Sequence, residues 1–381
     1  MSLEITMLKP EEYEEMMKFL ETSYRISKGY FSRRYPHVWR KDTIQYENRL
    51  ILKRNGRIVS HVGIFPLTMK IDNVEVKMGG IGGVATLQEY RGLGYMTKLM
   101  NYAIKKMKDE KYPLSILWGD RQRYGHFGYE IVGKKVLFTV SLRSLSVEAK
   151  PSEINIVRYR GEKELLDKII KLHEQEPIII KRTIRDNKLL YNIPGLIVYV
   201  GEVNGNSAYI VFESDDPPRT IIEYGGKPDV LISLLYTILK ILDKELNISS
   251  VDVEAPYYSY ETFHEMFKVF SSWKIRSQAM VKILNLKELL ENYLPIIARR
   301  TEEIKYELML GIRETGEKVK LTLDHGTVVI EPRGKAKTKI LLSERDMAKL
   351  LFDGPETVSP YFPMLNLLFP LPLHVGTLNH I

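Results

Sequence analysis

The chain of 381 residues has no cysteine. Disulfides, thiolate metal sites and a cysteine nucleophile are therefore excluded. No run approaches the ~20 uncharged apolar residues that a membrane span needs. The opening MSLEITMLKPEEYEEMM lacks a basic segment followed by an apolar one, so no secretory leader is expected and the chain is read as cytoplasmic. Histidines with ligand spacing are missing as well. His264-Glu265 lacks the second histidine of a zinc-protease helix, and no metal is expected. Tryptophan is scarce at 3 copies, but 23 Tyr and 12 Phe supply core material.

Charge is present in both signs. Lys and Arg number 56 against 48 acids, a net +8, with a pI near 9.1. The basic residues are scattered rather than gathered on one face. No helix-turn-helix, zinc or aromatic RNA-binding pattern accompanies them, so no nucleic-acid partner is expected. The length implies two or three domains.

Along the chain, residues 11–28 have helical spacing. RLILKRNGRIVSHVGIF reads as two strands joined at Asn55-Gly56, a pair that tolerates the positive φ of a tight hairpin. TMKIDNVEVKMGGIGGVATL reads as two more strands around Asp72-Asn73. MTKLMNYAIKKMKDEKY puts Met96, Leu99, Met100, Ala103, Ile104 and Met107 on one helical face. PLSILWGD is a short buried strand. This is an α/β order. A block at 151–278 repeats it loosely, with a hairpin on Asn204-Gly205, the strand RTIIEYGG, a helix opened by Pro228 and the strand SSVDVEAP. YETFHEMFKVF reads as a further helix. A third block, from about 279, holds NLKELLENYLPIIARRTEE, a helix that Pro295 is expected to kink, then four strands and two short helical pieces, RDMAKLLFD and FPMLNLLFP.

Two motifs carry chemistry. In VATLQEYRGLGYMTKLM a strand runs into Arg91-Gly92-Leu93-Gly94 and a helix begins at Tyr95-Met96. Glycines let backbone approach a ligand, and the N–H groups of a helix start bind phosphate. The segment is neither a P-loop nor a dinucleotide fingerprint. An ordinary glycine-rich turn fits it equally well. The second motif is RYGHFGY, residues 123–129. Tyr124 and Tyr129 are open to two readings, core aromatics or a lined loop, and His126 is read as a packed or surface residue.

Together, about 30 residues apart, the motifs resemble the acyl-CoA half of the GNAT acyltransferases. Arg91 and Gly94 match that family's Arg/Gln-x-x-Gly-x-Gly/Ala loop, and Met96 departs from its last position. The resemblance implies that Val84, Ala85 and Thr86 offer backbone groups to pantetheine. It implies that residues 91–96 cradle the pyrophosphate. It also places the opening of the sheet at Trp118-Gly119-Asp120, so Gly119 and Asp120 join the expected acetyl-CoA site. Tyr124 would be the general acid that protonates the departing thiolate, a role suited to a phenol of pKa ~10. Gly128 would permit a bend, and Tyr129 would pack.

The whole chain is similar to the Eis-type (enhanced intracellular survival) acetyltransferases, on YRGLGYMTKLM, RYGHFGY, MVKILNLKELL, LLSERDMAKLLF and LFPLPLHVGTLNHI. That resemblance implies an α/β (α+β) chain of three parts: a catalytic GNAT domain (1–150), a degenerate GNAT-like domain (151–278) and a sterol-carrier-like α+β domain (279–381). It implies that the apolar chain end reaches the first domain, where the α-carboxylate of Ile381 is the general base. The expected reaction is direct acetyl transfer from acetyl-CoA to a primary amine: an aminoglycoside, a polyamine or a lysine side chain. A homo-oligomer is compatible with the sequence. Two rivals stand beside this reading. A non-catalytic acyl-CoA or lipid binder predicts binding without turnover. An acyl or aminoacyl transferase with a larger acceptor predicts a concentrated basic face.

Overall fold

The computed structural model describes residues 2–149, 151–213, 215–358, 363 and 365–381. Lys150, the last residue of the expected first domain, and Phe362 and Met364 of the expected last helical piece lie outside the described residues.

The chain starts with strand β1 (Leu3–Met7), which sequence reading missed, and helix α1 (Tyr13–Tyr24). Short helices α2 (Tyr30–Arg34) and α3 (Pro36–Trp39) follow. β2 (Arg49–Arg54) and β3 (Arg57–Ile71) meet at Asn55-Gly56, whose φ values are 51° and 82°. The four strands expected over residues 49–86 are three. β3 runs unbroken through Pro66, in a stretch where β2 has already ended at Gly63 and edge pairing tolerates a proline. β4 (Val74–Thr86), α4 (Tyr95–Asp109), β5 (Leu114–Leu117), α5 (Arg121–Gly125) and β6 (Glu130–Ser141) complete the first part. Leu99, Met100, Ala103 and Met107 of α4 are fully buried against this sheet, each larger side chain contributing about 2 kcal/mol.

The second part repeats the plan. α6 (Leu142–Glu148), β7 (Asn155–Arg158), α7 (Lys163–Gln175), β8 (Ile178–Ile180) and α8 (Ile184–Tyr191) precede the hairpin of β9 (Ile197–Val203) and β10 (Asn206–Phe212). β11 (Thr220–Gly226), α9 (Pro228–Leu246), β12 (Ser250–Pro256), α10 (Glu261–Val269) and β13 (Phe270–Ile283) follow. β13 was not anticipated, and it crosses position 278. It pairs antiparallel with β5 at Met280–Ile283 and with β6 along most of its length, while β6 turns its other edge to β12. The two parts thus exchange strands and share one 13-stranded sheet among the described residues, in the order β1-β2-β3-β4-β5-β13-β6-β12-β11-β10-β9-β7, with β8 on β3.

The third part begins with α11 (Leu286–Asn292) and α12 (Leu294–Arg300). Pro295 does not kink one helix. It stands in the first turn of a second one, where its missing N–H costs nothing. β14 (Lys305–Ile312), β15 (Lys318–Asp324), β16 (Thr327–Glu331) and β17 (Thr338–Leu342) form a separate sheet in the order β16-β15-β14-β17. α13 (Glu344–Asp353) and α14 (Leu365–Leu368) close it. Leu289, Leu290, Ile297, Leu310 and Leu351 share a core with Met69, Val76, Met78 and Ile116 of the large sheet. Among the described residues no helix is long and apolar enough to cross a membrane.

Polar locks tie α13 to the large sheet. Lys282 Nζ donates to Glu344 Oε2 (2.6 Å). Glu130, 2 % exposed at its side chain, accepts from Arg121 Nη2 (2.7 Å) and Arg345 Nε (2.8 Å). Burial alone would raise the Glu130 pKa, but Arg121, the Ile131 amide and Arg345 together hold it down at about 2. A depressed carboxylate stabilises the fold above its unfolded value and loses that contribution as pH falls toward its folded value. Glu130→Gln is therefore expected to cost about 3 kcal/mol at pH 7, the scale of a broken buried pair. In denaturant titrations the gap to the parent should narrow below the ordinary carboxylate value of 4.5 and close near pH 2; a gap independent of pH would contradict the assignment.

Candidate active site

β4 and β5 lie side by side only from Met78↔Leu114 to Gly80↔Ile116. β4 then continues to Thr86 and β5 ends at Leu117. The strands part, leaving one edge of β4 without a partner strand over residues 81–86 among the described residues. On its other edge β4 carries a bulge: Val62 of β3 stands opposite both Gly83 and Val84. Gly83 has φ 60°, and a Cβ there would come within 2.6 Å of Trp39. His61 Nδ1 donates to the Gly83 carbonyl (2.7 Å). Burial pushes the imidazole pKa down to about 3, so His61 is neutral and acts as a fixed donor.

Beside the free edge lies a cleft of about 570 Å³. Val84, Ala85, Thr86, Arg91, Gly92, Gly94, Tyr95 and Met96 line it, so the structure gathers most of the expected cofactor residues. Gly92 and Gly94 have φ 79° and 73°, and a Cβ on either would meet nothing within 4 Å. The turn faces open space, and α4, 15 residues long, starts directly behind it. Leu93 is 50 % exposed and outside the lining. Arg91 Nε donates to the Thr86 carbonyl (3.3 Å), folding the turn back onto β4. Tyr90 and Tyr95 stack with ring centroids 6.4 Å apart.

Ser23, Tyr24, Thr97 and Arg123 also line the cleft and were missed by sequence reading. Tyr24 ends α1 and donates to the Val84 carbonyl (3.0 Å). The two residues are 60 positions apart, and no local spacing signals their meeting.

RYGHFGY divides into two roles. Tyr129 is fully buried, with its hydroxyl 2.7 Å from Ser115 Oγ, and belongs to the core. Gly128 has φ 84°, and a Cβ there would strike Glu344 Oε2 at 2.0 Å, so this bend is where α13 docks. Tyr124 is 7 % exposed and packs directly over Gly119, where a Cβ would meet its ring at 2.4 Å. Burial raises its pKa while the Arg123 guanidinium pulls the other way. The phenol is protonated at neutral pH. Asp120 accepts from the Arg123 N–H (2.7 Å) and so caps α5, the turn that presents Tyr124. Neither Gly119 nor Asp120 lines the cleft. His126 is exposed at the end of α5, a surface residue.

The chain end reaches this region. The His380 ring lies on Trp118, centroids 4.1 Å apart. Ile381 reaches β4: a Cβ on Gly80 would meet its side chain at 2.2 Å, and one on Gly82 would meet its carboxyl oxygen at 3.3 Å. Burial holds His380 neutral, with its pKa lowered to about 4. Among the described residues no group of three or more His, Asp or Glu is placed to hold a metal ion.

Residues 4–132 match the acetyltransferase (GNAT) domain family. No curated protein sequence matches the chain. Solved structures share its fold over nearly the whole length. A probable N-acyltransferase from Enterococcus faecalis V583 has a TM-score of 0.75 at 17 % identity, covering 98 % of this chain and 97 % of its own. A GCN5-related N-acetyltransferase from Kribbella flavida has a TM-score of 0.72 at 15 % identity, covering 100 % and 98 %. Eis1 from Mycobacterium abscessus has a TM-score of 0.63 at 10 % identity, covering 92 % and 89 %. At these identities the likeness is one of fold.

Proposed function

We propose that this chain, an acyltransferase whose residues 4–132 form a GNAT acetyltransferase domain, transfers the acetyl group of acetyl-CoA to a primary amine. The acceptor is an aminoglycoside, a polyamine or a lysine side chain. The observation that carries this reading is the parting of β4 from β5 beside a cleft that ends at the open Gly92/Gly94 turn. The residues present fit acetyl-CoA. The first N–H groups of α4 and the glycines of the turn would hold the pyrophosphate, with Arg91 adding charge. The backbone of Val84, Ala85 and Thr86 would carry the pantetheine arm and hold the thioester in place for attack.

The remaining roles fall to two groups. The α-carboxylate of Ile381, beside Gly82, would take the proton from the substrate ammonium. Tyr124 would give its proton to the sulfur as the C–S bond breaks and the new C–N bond forms. Its raised pKa suits an acid that must stay protonated until then. The domain division 1–150, 151–278 and 279–381 belongs to the same proposal, supported by the repeated strand–helix–strand order and the separate third sheet. The first is the catalytic part, the second a degenerate GNAT-like part and the third sterol-carrier-like. The place of action proposed is the cytoplasm.

Three outcomes are expected. Gly94→Leu, forced into φ 73° with its side chain in the cleft, should weaken acetyl-CoA binding at least tenfold by calorimetry while circular dichroism is unchanged; equal affinity would move the site elsewhere. Tyr124→Phe should lower kcat by about 10²-fold or more with KM for acetyl-CoA kept, the usual worth of general acid catalysis; a parental rate would return Tyr124 to the core. A few residues appended after Ile381 would carry the carboxylate away, and turnover should fall by about 10²-fold in a protein that still binds acetyl-CoA. Full activity of the extended protein would remove Ile381 from the mechanism.

A further inference from the structure

The second part of the molecule builds the same gap as the first. Its parallel pair, β11 and β12, is in register only at Thr220↔Asp252 and Ile221↔Val253. Beyond that, β11 runs to Gly226 and β12 to Pro256 with no pairing between them. In the first part the corresponding gap opens onto the 570 Å³ cleft. In the second it is filled by the chain's own residues 374–379, and only about 50 Å³ is left beside them.

The filling segment is held by side chains of the second part. Glu254, the first β12 residue past the paired stretch, accepts from the Thr377 amide (3.1 Å) and hydroxyl (3.0 Å). Asn379 Oδ1 accepts from Arg182 Nε (2.7 Å), and Arg182 is paired with Glu223 of β11. Leu378 is 4 % exposed among Ile222, Tyr209 and Leu172. Gln278 Nε2 donates to the Val375 carbonyl (2.7 Å). After Asn379 the chain crosses to the first part through His380 on Trp118 and Ile381 at Gly82.

The glycines tell the two gaps apart. Gly92 and Gly94 face open space. Gly225 and Gly226, at the matching place before α9, do not. A Cβ on Gly226 would strike the Ser207 carbonyl at 2.3 Å, and one on Gly225 would strike Tyr209 at 2.8 Å. The second glycine pair packs protein against protein where the first faces open space, and the cavity beside Gly226, Lys227 and Pro228 lies outside the gap between the strands.

We propose that the gap between β11 and β12 is an intramolecular peptide slot, occupied by residues 374–379, that excludes a second acyl-CoA. Thr377 and Asn379, gripped by Glu254 and Arg182, are the positioning residues that set the Ile381 carboxyl at Gly82. The last step rests on the reading of that carboxylate as the base; the slot does not.

The test uses full-length Thr377→Val, Asn379→Ala and Thr377→Ser. Three quantities are read: amide hydrogen exchange of residues 374–381, acetyl-CoA stoichiometry by calorimetry, and kcat and KM. One acetyl-CoA per chain is expected throughout. Thr377→Val and Asn379→Ala should raise exchange and lower kcat by about tenfold each, the scale of one lost hydrogen bond. KM for acetyl-CoA should hold, and Thr377→Ser, which keeps the hydroxyl, should behave as the parent. Two acetyl-CoA per chain, or unchanged exchange in both damaging variants, overturns the slot. Exchange that rises while kcat holds overturns the positioning role. The protein extended beyond Ile381 separates that failure from failure of the base: if the extended protein is inactive the base stands without these positioning residues, and if it is active the base is lost while the slot is judged on exchange and stoichiometry alone.

Discussion

β13 lies between β5 and β6, and the rest of the molecule is arranged around that insertion. A strand of the second part completes the sheet of the first. Because β13 takes the place beside β5, β6 turns its far edge to β12 and the two sheets become one. The pairing fixes more than the sheet. Gln278 and Lys282 ride on this strand. Gln278 binds both His374 and Val375 of the chain end, and its own carbonyl accepts from Trp118. Lys282, nearly buried, meets Glu344 of the third part. β13 thus relates all three parts, as β6 does through Glu130 and its pairing with β12.

This placement gives the cleft its walls. β5 is only four residues long, Leu114–Leu117. Its partner on the β13 side is secured to its end at Leu117, and its partner on the β4 side only as far as Ile116. The sheet can therefore open on one side of β5 without coming apart. An open sheet edge is ordinarily a hazard for association. Here the edge is bordered by Arg91 and the Gly92/Gly94 turn at one end and by Ile381 at the other. The same split in the second part is closed by residues 374–379, so one topology yields an accessible groove and a filled one.

Much of the local structure was legible in the residues. Asn55-Gly56 and Asn204-Gly205 marked hairpins because both positions need positive φ. The period of Met96 to Met107 marked α4, and the Gly92/Gly94 turn before it marked where that helix starts. β13 carried an alternation, Trp273, Ile275, Ala279, Val281 and Ile283 against Lys274, Arg276, Gln278 and Lys282, but nothing local showed that it would pair with β5 and β6. The long β3 was expected as two strands, one ending at Phe65 and one starting at Thr68, whereas it runs through Pro66 on a local edge. Asp120 carried a carboxylate at a suggestive place, yet its hydrogen bond is spent on the start of α5. Tyr24 gave no signal, because its partner at Val84 is distant in the chain.

By itself the sequence determined those features whose cause is local: turns that demand glycine or asparagine, helices with one apolar face, and a chain end too apolar to stay in water. Tertiary structure alone decided which of two similar gaps stays open. Gly92/Gly94 and Gly225/Gly226 are alike as residues. They differ because backbone of β10 lies against Gly226 while nothing lies against Gly94. It also decided where the apolar end would go, since Glu254, Arg182, Gln278 and Trp118 come from separate strands and loops. Long-range contacts of that kind depend on strand order, and strand order here rests on an exchange that no stretch of the chain encodes locally.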